Sequence, residues 1–145
     1  MKRIVIKFGG TSVGSMKKIT NAARIIKKRH EEGNEVIVVV SAMSGTTNDL
    51  IDRSKKISDN FNKSELDVLM SSGEQISSSL VAGAIIELGI KARSWLGWQI
   101  PIVTNVNHTS SQIMQIKTEE ILNFISLRGV AVIAGFQGIS KESRI

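Results

Sequence analysis

Three short runs of β-branched and other apolar residues constrain this chain most: Arg3–Phe8 (RIVIKF), Glu35–Val40 (EVIVVV) and Val130–Ala134 (VAVIA). Short and apolar on both faces, they read as strands buried on both sides of a parallel sheet. Between them lie segments of helical period. Over 15–32, Met16, Ile19, Ala22, Ala23 and Ile26 form one stripe, ringed by Lys17, Lys18, Arg24, Lys27, Lys28 and Arg29, and the pattern stops at Gly33-Asn34. Further helices are expected over 48–58, over 64–88 with Ser64 as the cap and an interruption at 71–73, and over 118–129 with acids in the first turn. A short strand is expected at 91–95, and irregular hairpins around 102–104 and 112–116. The fold class that follows is α/β, with a mainly parallel central sheet between helices in three αβα layers. The 145 residues make one such domain or part of one.

In such sheets ligands collect at the carboxyl ends of the strands. Each of the three apolar runs is followed there by a loop of small residues: 9–14 (GGTSVG), 41–47 (SAMSGTT) and 135–138 (GFQG). A parallel sheet puts all three on one edge. Glycines after a strand let backbone N–H groups approach an anion, and a following helix adds the positive end of its dipole. The first loop fits neither common phosphate motif. The Walker A lysine follows its glycines, whereas Lys7 precedes Gly9, Gly10 and Gly14, and the dinucleotide spacing G-x-G-x-x-G is not met. Two readings of this loop therefore stand: a phosphate loop of a third kind, or a tight strand–helix turn with Lys7 reaching outward. Lys7 is the one charge within Ile4–Phe8, and buried there it would need an anionic partner.

Ser41, Ser44, Thr46 and Thr47 offer hydroxyls to a small polar ligand, or else serve turns and caps. Glu74 is the only acid between Asp67 and Glu87, so it either compensates a helix dipole or holds an ammonium group. Asp49 and Asp52 fall on a helix surface. His30 and His108 are isolated, offer no metal-ligand spacing, and are expected to be solvated. No Ser-His-Asp arrangement occurs.

The net charge of +6 invites a nucleic-acid reading, but the cations are dispersed, aromatics make up 4% and Tyr is absent. An anionic small substrate fits better, with no nucleic-acid partner. No apolar run approaches the ~20 residues of a membrane helix, so no membrane partner is expected. With no cysteine, disulfides and thiolate chemistry are excluded, in keeping with a cytoplasmic protein.

Four blocks then stand in a telling order: Lys7-Phe8-Gly9-Gly10-Thr11-Ser12-Val13, Val39-Val40-Ser41-Ala42-Met43, Ser72-Gly73-Glu74 and Ala134-Gly135-Phe136-Gln137-Gly138. In these blocks the chain resembles the aspartate kinases, which have the amino acid kinase fold, and the likeness spans essentially its whole length. KFGGTSV is the most specific string. The resemblance implies an incomplete, N-terminal part of that fold. Residues 1–145 would be the N-terminal portion of the catalytic domain, the rest of that domain and the regulatory domains being absent. It also implies transfer of the ATP γ-phosphoryl group to the β-carboxylate of L-aspartate, giving 4-phospho-L-aspartate, which opens the route to lysine, threonine and methionine. ATP and Mg²⁺ come with that chemistry, as does a homo-oligomer in the full-length protein; the fragment alone is expected to be inactive.

Carried over by position, Lys7 is catalytic, neutralising the phosphoryl group in transfer. Lys7, Phe8, Gly9, Gly10, Thr11, Ser12 and Ser41 fall at the nucleotide and phosphate positions. Thr47, Glu74, Gly135 and Phe136 fall at the substrate positions, Glu74 taking the α-ammonium. No metal ligand is implied. The alternatives are a sibling kinase acting on glutamate, acetylglutamate, carbamate or a nucleotide monophosphate, and a non-catalytic module binding anions or nucleic acid.

Overall fold

The computed structural model describes residues 2–145. In chain order it forms β1 (Arg3–Phe8), α1 (Met16–Glu31), β2 (Glu35–Val40), α2 (Thr46–Ile57), α3 (Lys63–Glu87), β3 (Ala92–Trp95), β4 (Ile102–Thr104), β5 (Ile113–Ile116), α4 (Glu119–Ser126) and β6 (Val130–Ala134). Four strands make one parallel sheet in the order β1-β2-β6-β3, while β4 and β5 pair antiparallel as a separate hairpin. The expected α/β class and mainly parallel sheet are thus present.

Helices cover the two faces unequally. On one face Ile4, Ile6 and Phe8 of β1, Val36, Val38 and Val40 of β2, and Val130 and Val132 of β6 pack with Ile19, Ala23 and Ile26 of α1 and Val81 and Ile85 of α3. On the other, Ile37, Ala131 and Ile133 meet Ile121 and Ile125 of α4, with Trp95 and Phe124 edge to face at 5.7 Å. This second layer reaches β6 and β2 but stops short of β1, where Arg3, Val5 and Lys7 are exposed.

Lys7 is therefore not a buried charge. The expectation treated RIVIKF as a strand buried on both faces, but β1 has a neighbour on one side only and helices on one face only. Two helix boundaries also differ from expectation. Asn62, not Ser64, caps α3, its Oδ1 accepting from the amides of Ser64 at 2.9 Å and Glu65 at 3.2 Å. The helix then runs unbroken through 71–73, since the Ser71 and Ser72 hydroxyls donate back to the carbonyls of Val68 and Leu69. α2 starts at Thr46 because Gly45 turns the chain at φ +86, so Thr47 sits in a helix rather than a loop. Among the described residues no helix is long and apolar enough to cross a membrane.

Candidate active site at the strand ends

The register lines the three loops up. Phe8 pairs with Val40, and Val40 with Ala134, so β1, β2 and β6 end at one level and Gly9, Ser41 and Gly135 begin their loops side by side. Backbone hydrogen bonds then stitch the loops together: Ser41 N–H to Phe8 O at 3.0 Å, Gly135 N–H to Val40 O at 2.9 Å, and Ser44 N–H to Gly10 O at 3.1 Å. Two of the glycines are needed for this approach. A Cβ on Gly10 would lie 2.7 Å from the Ala42 carbonyl oxygen, and one on Gly135 would lie 2.9 Å from that of Val40.

Gly9 has open space where a Cβ would stand, and a 3₁₀ turn follows over Gly10–Ser12, with Thr11 and Ser12 exposed. Ser15 caps α1, accepting from the Lys18 amide at 3.3 Å, and the first turn of that helix carries no acid to neutralise its positive end. Lys18 Nζ donates to the Thr11 carbonyl at 2.8 Å. The loop leading into α1 thus has the character of an anion seat.

Lys7 and Glu74 flank this edge from opposite faces of the sheet. Lys7 alternates with Phe8, whose ring lies in the core with α1 and α3, so the ammonium stands on the other face. No carboxylate lies within ion-pair distance of Lys7 among the described residues. Glu74 belongs to α3, beyond the helix's first turns, which removes the dipole-compensation reading. It is buried, at 6% exposure, and its Oε2 has no hydrogen-bond partner. Burial pushes its carboxyl above the usual glutamate range, while the backbone amides of Ala42 and of Glu74 itself pull the other way.

Gly73 makes the placement of Glu74 possible. A Cβ there would lie 2.9 Å from Cβ of Ala42 and 3.2 Å from Cγ2 of Thr46, so the helix lies directly on the second loop. Glu74 reaches the third loop too, its Cγ 3.9 Å from where a Cβ on Gly135 would be. Phe136, half exposed at φ +45, and Gln137 follow; the Gln137 side chain donates through Nε2 to the Ala134 carbonyl at 2.8 Å and closes this turn.

The remaining candidate positions divide. The Phe8 side chain is a core residue, and only its backbone faces the loops. Ser41 is half-buried at the sheet edge, and Thr47 is half-buried in the first turn of α2. Sequence reasoning did not single out Asp67 and His108, which meet at 2.8 Å beside the third loop. His108, expected to be solvated, is in contact with a carboxylate, and His30 Nε2 lies 3.0 Å from the Arg128 carbonyl.

The chain matches the family model described as the amino acid kinase family over residues 2–145. It is 46% identical over its whole length to an aspartate kinase of Stutzerimonas stutzeri and 44% identical to an aspartokinase of Bacillus sp. MGA3. In both cases it spans about 35% of the relative's length. The aspartate kinase of Synechocystis superposes with a TM-score of 0.82 at 35% identity, covering 99% of this chain and 23% of that one. The fold alone is shared with E. coli aspartokinase III, solved with aspartate and ADP, at a TM-score of 0.80 and 19% identity over 99% of this chain and 42% of that one. A match running from the second residue to the last, on a sheet whose strand ends meet in glycine loops, has one meaning: the chain belongs to the amino acid kinase family.

Proposed function

We propose that this chain is the N-terminal portion of the catalytic domain of an aspartate kinase. The enzyme moves the γ-phosphoryl group of ATP to the β-carboxylate of L-aspartate, yielding 4-phospho-L-aspartate for lysine, threonine and methionine synthesis. The observation that carries this reading is the row of Gly9, Ser41 and Gly135 at one level, with a free ammonium on one side and a buried, unpartnered carboxylate on the other. The identities to aspartate kinases support it.

The chemistry suits the residues. An aspartate side chain, with a pKa near ~3.9, is already ionised at neutral pH, so the acceptor needs no general base. The task is to bring two anions together and stabilise an in-line, charge-rich transition state. The amides of Gly9 and Gly10 seat phosphate oxygens with the Thr11, Ser12 and Ser41 hydroxyls beside them, and Lys7 neutralises the group in transfer. Glu74 takes the α-ammonium of aspartate, a charge that its unpartnered Oε2 lacks. Thr47, Gly135 and Phe136 border the acceptor.

Among the described residues no three His, Asp or Glu side chains come together to hold a metal ion. Mg²⁺ enters this reading with the nucleotide, as MgATP. A cytoplasmic protein agrees with the lack of cysteine. A homo-oligomer agrees with the outer face of α3, where Ile76, Leu80 and Ile86 are exposed with Gly83 and no charge between them.

The test is ADP release by the natural-length protein over L-aspartate, L-glutamate, N-acetylglutamate and carbamate, with hydroxylamine trapping the acyl phosphate. Turnover and hydroxamate should require L-aspartate. Preference for another acceptor would move the protein to a sibling activity.

A further inference from the structure

One carboxylate folds a whole loop onto α3. Asp67 Oδ2 lies 2.8 Å from His108 Nδ1, and the Thr109 amide donates to Oδ1 at 3.1 Å and to Oδ2 at 2.9 Å. The Asp67 side chain is 13% exposed, and its contact with His108 is partly buried. Thr109 sits at φ +66, a strained conformation for a β-branched residue that persists only where its surroundings impose it. The turn is braced from within. Asn105 Oδ1 accepts from the amides of Asn107 and Gln112, and the Ser111 hydroxyl donates to the Asn107 carbonyl.

That turn is one wall of a cavity of about 250 Å³, lined by Thr109, Ser110 and Ser111 together with Phe136, Gln137 and Gly138. The second wall is the continuation of the loop that touches Glu74. Asp67 and Glu74 are seven residues apart on α3, which puts them on one face of the helix about 10 Å apart along its axis. Asp67 itself lines this cavity and holds its hydroxyl-bearing turn in place, so one face of α3 carries both the buried Glu74 carboxylate and the group that fixes the turn.

We propose that Asp67 is a positioning residue for the phosphoryl acceptor: by gripping His108 and the Thr109 amide, it fixes the 109–111 turn as a wall of the acceptor cavity, which Phe136 also lines. This rests on the reading that Glu74 takes the acceptor's ammonium. A staple serving only the fold of the hairpin would predict no selective effect on the acceptor.

The test uses the natural-length enzyme with Asp67→Ala, Asp67→Asn and His108→Ala. Losing hydrogen bonds to a charged group should raise KM for aspartate about tenfold or more in Asp67→Ala. KM for ATP and kcat should stay near their original values, and the 106–112 amides should lose protection from hydrogen exchange. Asp67→Asn keeps an acceptor for the Thr109 amide and should recover much of the aspartate KM; His108→Ala should fall between. If Asp67→Ala does not fold, the other two variants carry the same comparison. Faster exchange at 106–112 with an unmoved aspartate KM would overturn the proposal, as would equal losses for both substrates. If the unsubstituted enzyme lacks aspartate-dependent turnover, the acceptor assignment fails, and the proposal with it. Normal turnover with an insensitive KM defeats the Asp67 role alone.

Discussion

Glu74 is costly to the protein that carries it. A carboxylate buried with one oxygen unpartnered favours its protonated form, so its folded-state pKa lies above the unfolded value. Its contribution to stability is then complete below about pH 4.3, the ordinary glutamate value, and is lost as pH rises through the folded pKa. Glu74→Gln should accordingly raise the melting temperature near neutral pH, with the gain shrinking towards acid pH in calorimetric scans. If Glu74 takes the acceptor's ammonium, as proposed, the same variant should raise KM for aspartate about tenfold or more. A wild type as stable as the variant at neutral pH would show that desolvation does not govern this site. Lys7 is the reverse case. Exposed and without an ion pair, it contributes little to the fold, so Lys7→Ala should leave the melting temperature nearly unchanged. If it steadies the phosphoryl group, kcat should fall about a hundredfold or more; a near-normal kcat would end that role. Lys7 stood out in the sequence for a partly mistaken reason. The run IVIKF reads as buried on both faces, but whether a strand is central or terminal depends on partners distant in the chain.

α3 shows where local signals suffice and where they do not. Ser71-Ser72-Gly73 looks like a break, yet the serine hydroxyls bond back to the helix and Gly73 admits the second loop, so the segment is a contact surface. Two glycines of this helix should therefore respond oppositely to alanine. Gly83 has no neighbour within 4 Å of a built Cβ, so Gly83→Ala should stabilise by about 1 kcal/mol through helix propensity. Gly73→Ala must move Ala42 or Thr46 and should destabilise by about 1–3 kcal/mol despite the same gain. Equal shifts in denaturant unfolding would contradict the close approach at Gly73. The strands and their shared loop edge were legible in the sequence because two-sided apolar runs between helices leave few arrangements open. The α3 cap was not, since Asn62 and Ser64 are both good cap residues and backbone geometry decides between them. The Asp67–His108 contact spans 41 positions and has no local signature at all.

At the scale of the molecule, charge and sheet architecture point the same way. Several cations on the outer surface are paired with nearby acids: Lys27 with Glu31, Arg29 with Glu32, Arg53 with Asp49 and Arg3 with Glu35. The net +6 is what is left once such neutral pairs are counted, and it favours anions in general, a small anionic substrate included. What the 145 residues do assemble is a row of small-residue loops at the strand ends, on a sheet whose outer strand leaves Val5 65% exposed and Lys7 uncovered on the same face. Nothing among the described residues rises over that face to enclose a base and ribose, and the chain spans only about 35% of the length of relatives such as the S. stutzeri enzyme. Positioning two anionic substrates in line needs walls on both sides of the transferred group. The 145-residue chain by itself should thus give little ADP release with aspartate and MgATP, while the natural-length protein turns over under identical conditions. Comparable rates from the two would mean that the loops, Lys7 and Glu74 form a complete catalytic centre, and that the open face of β1 plays no part in holding the nucleotide.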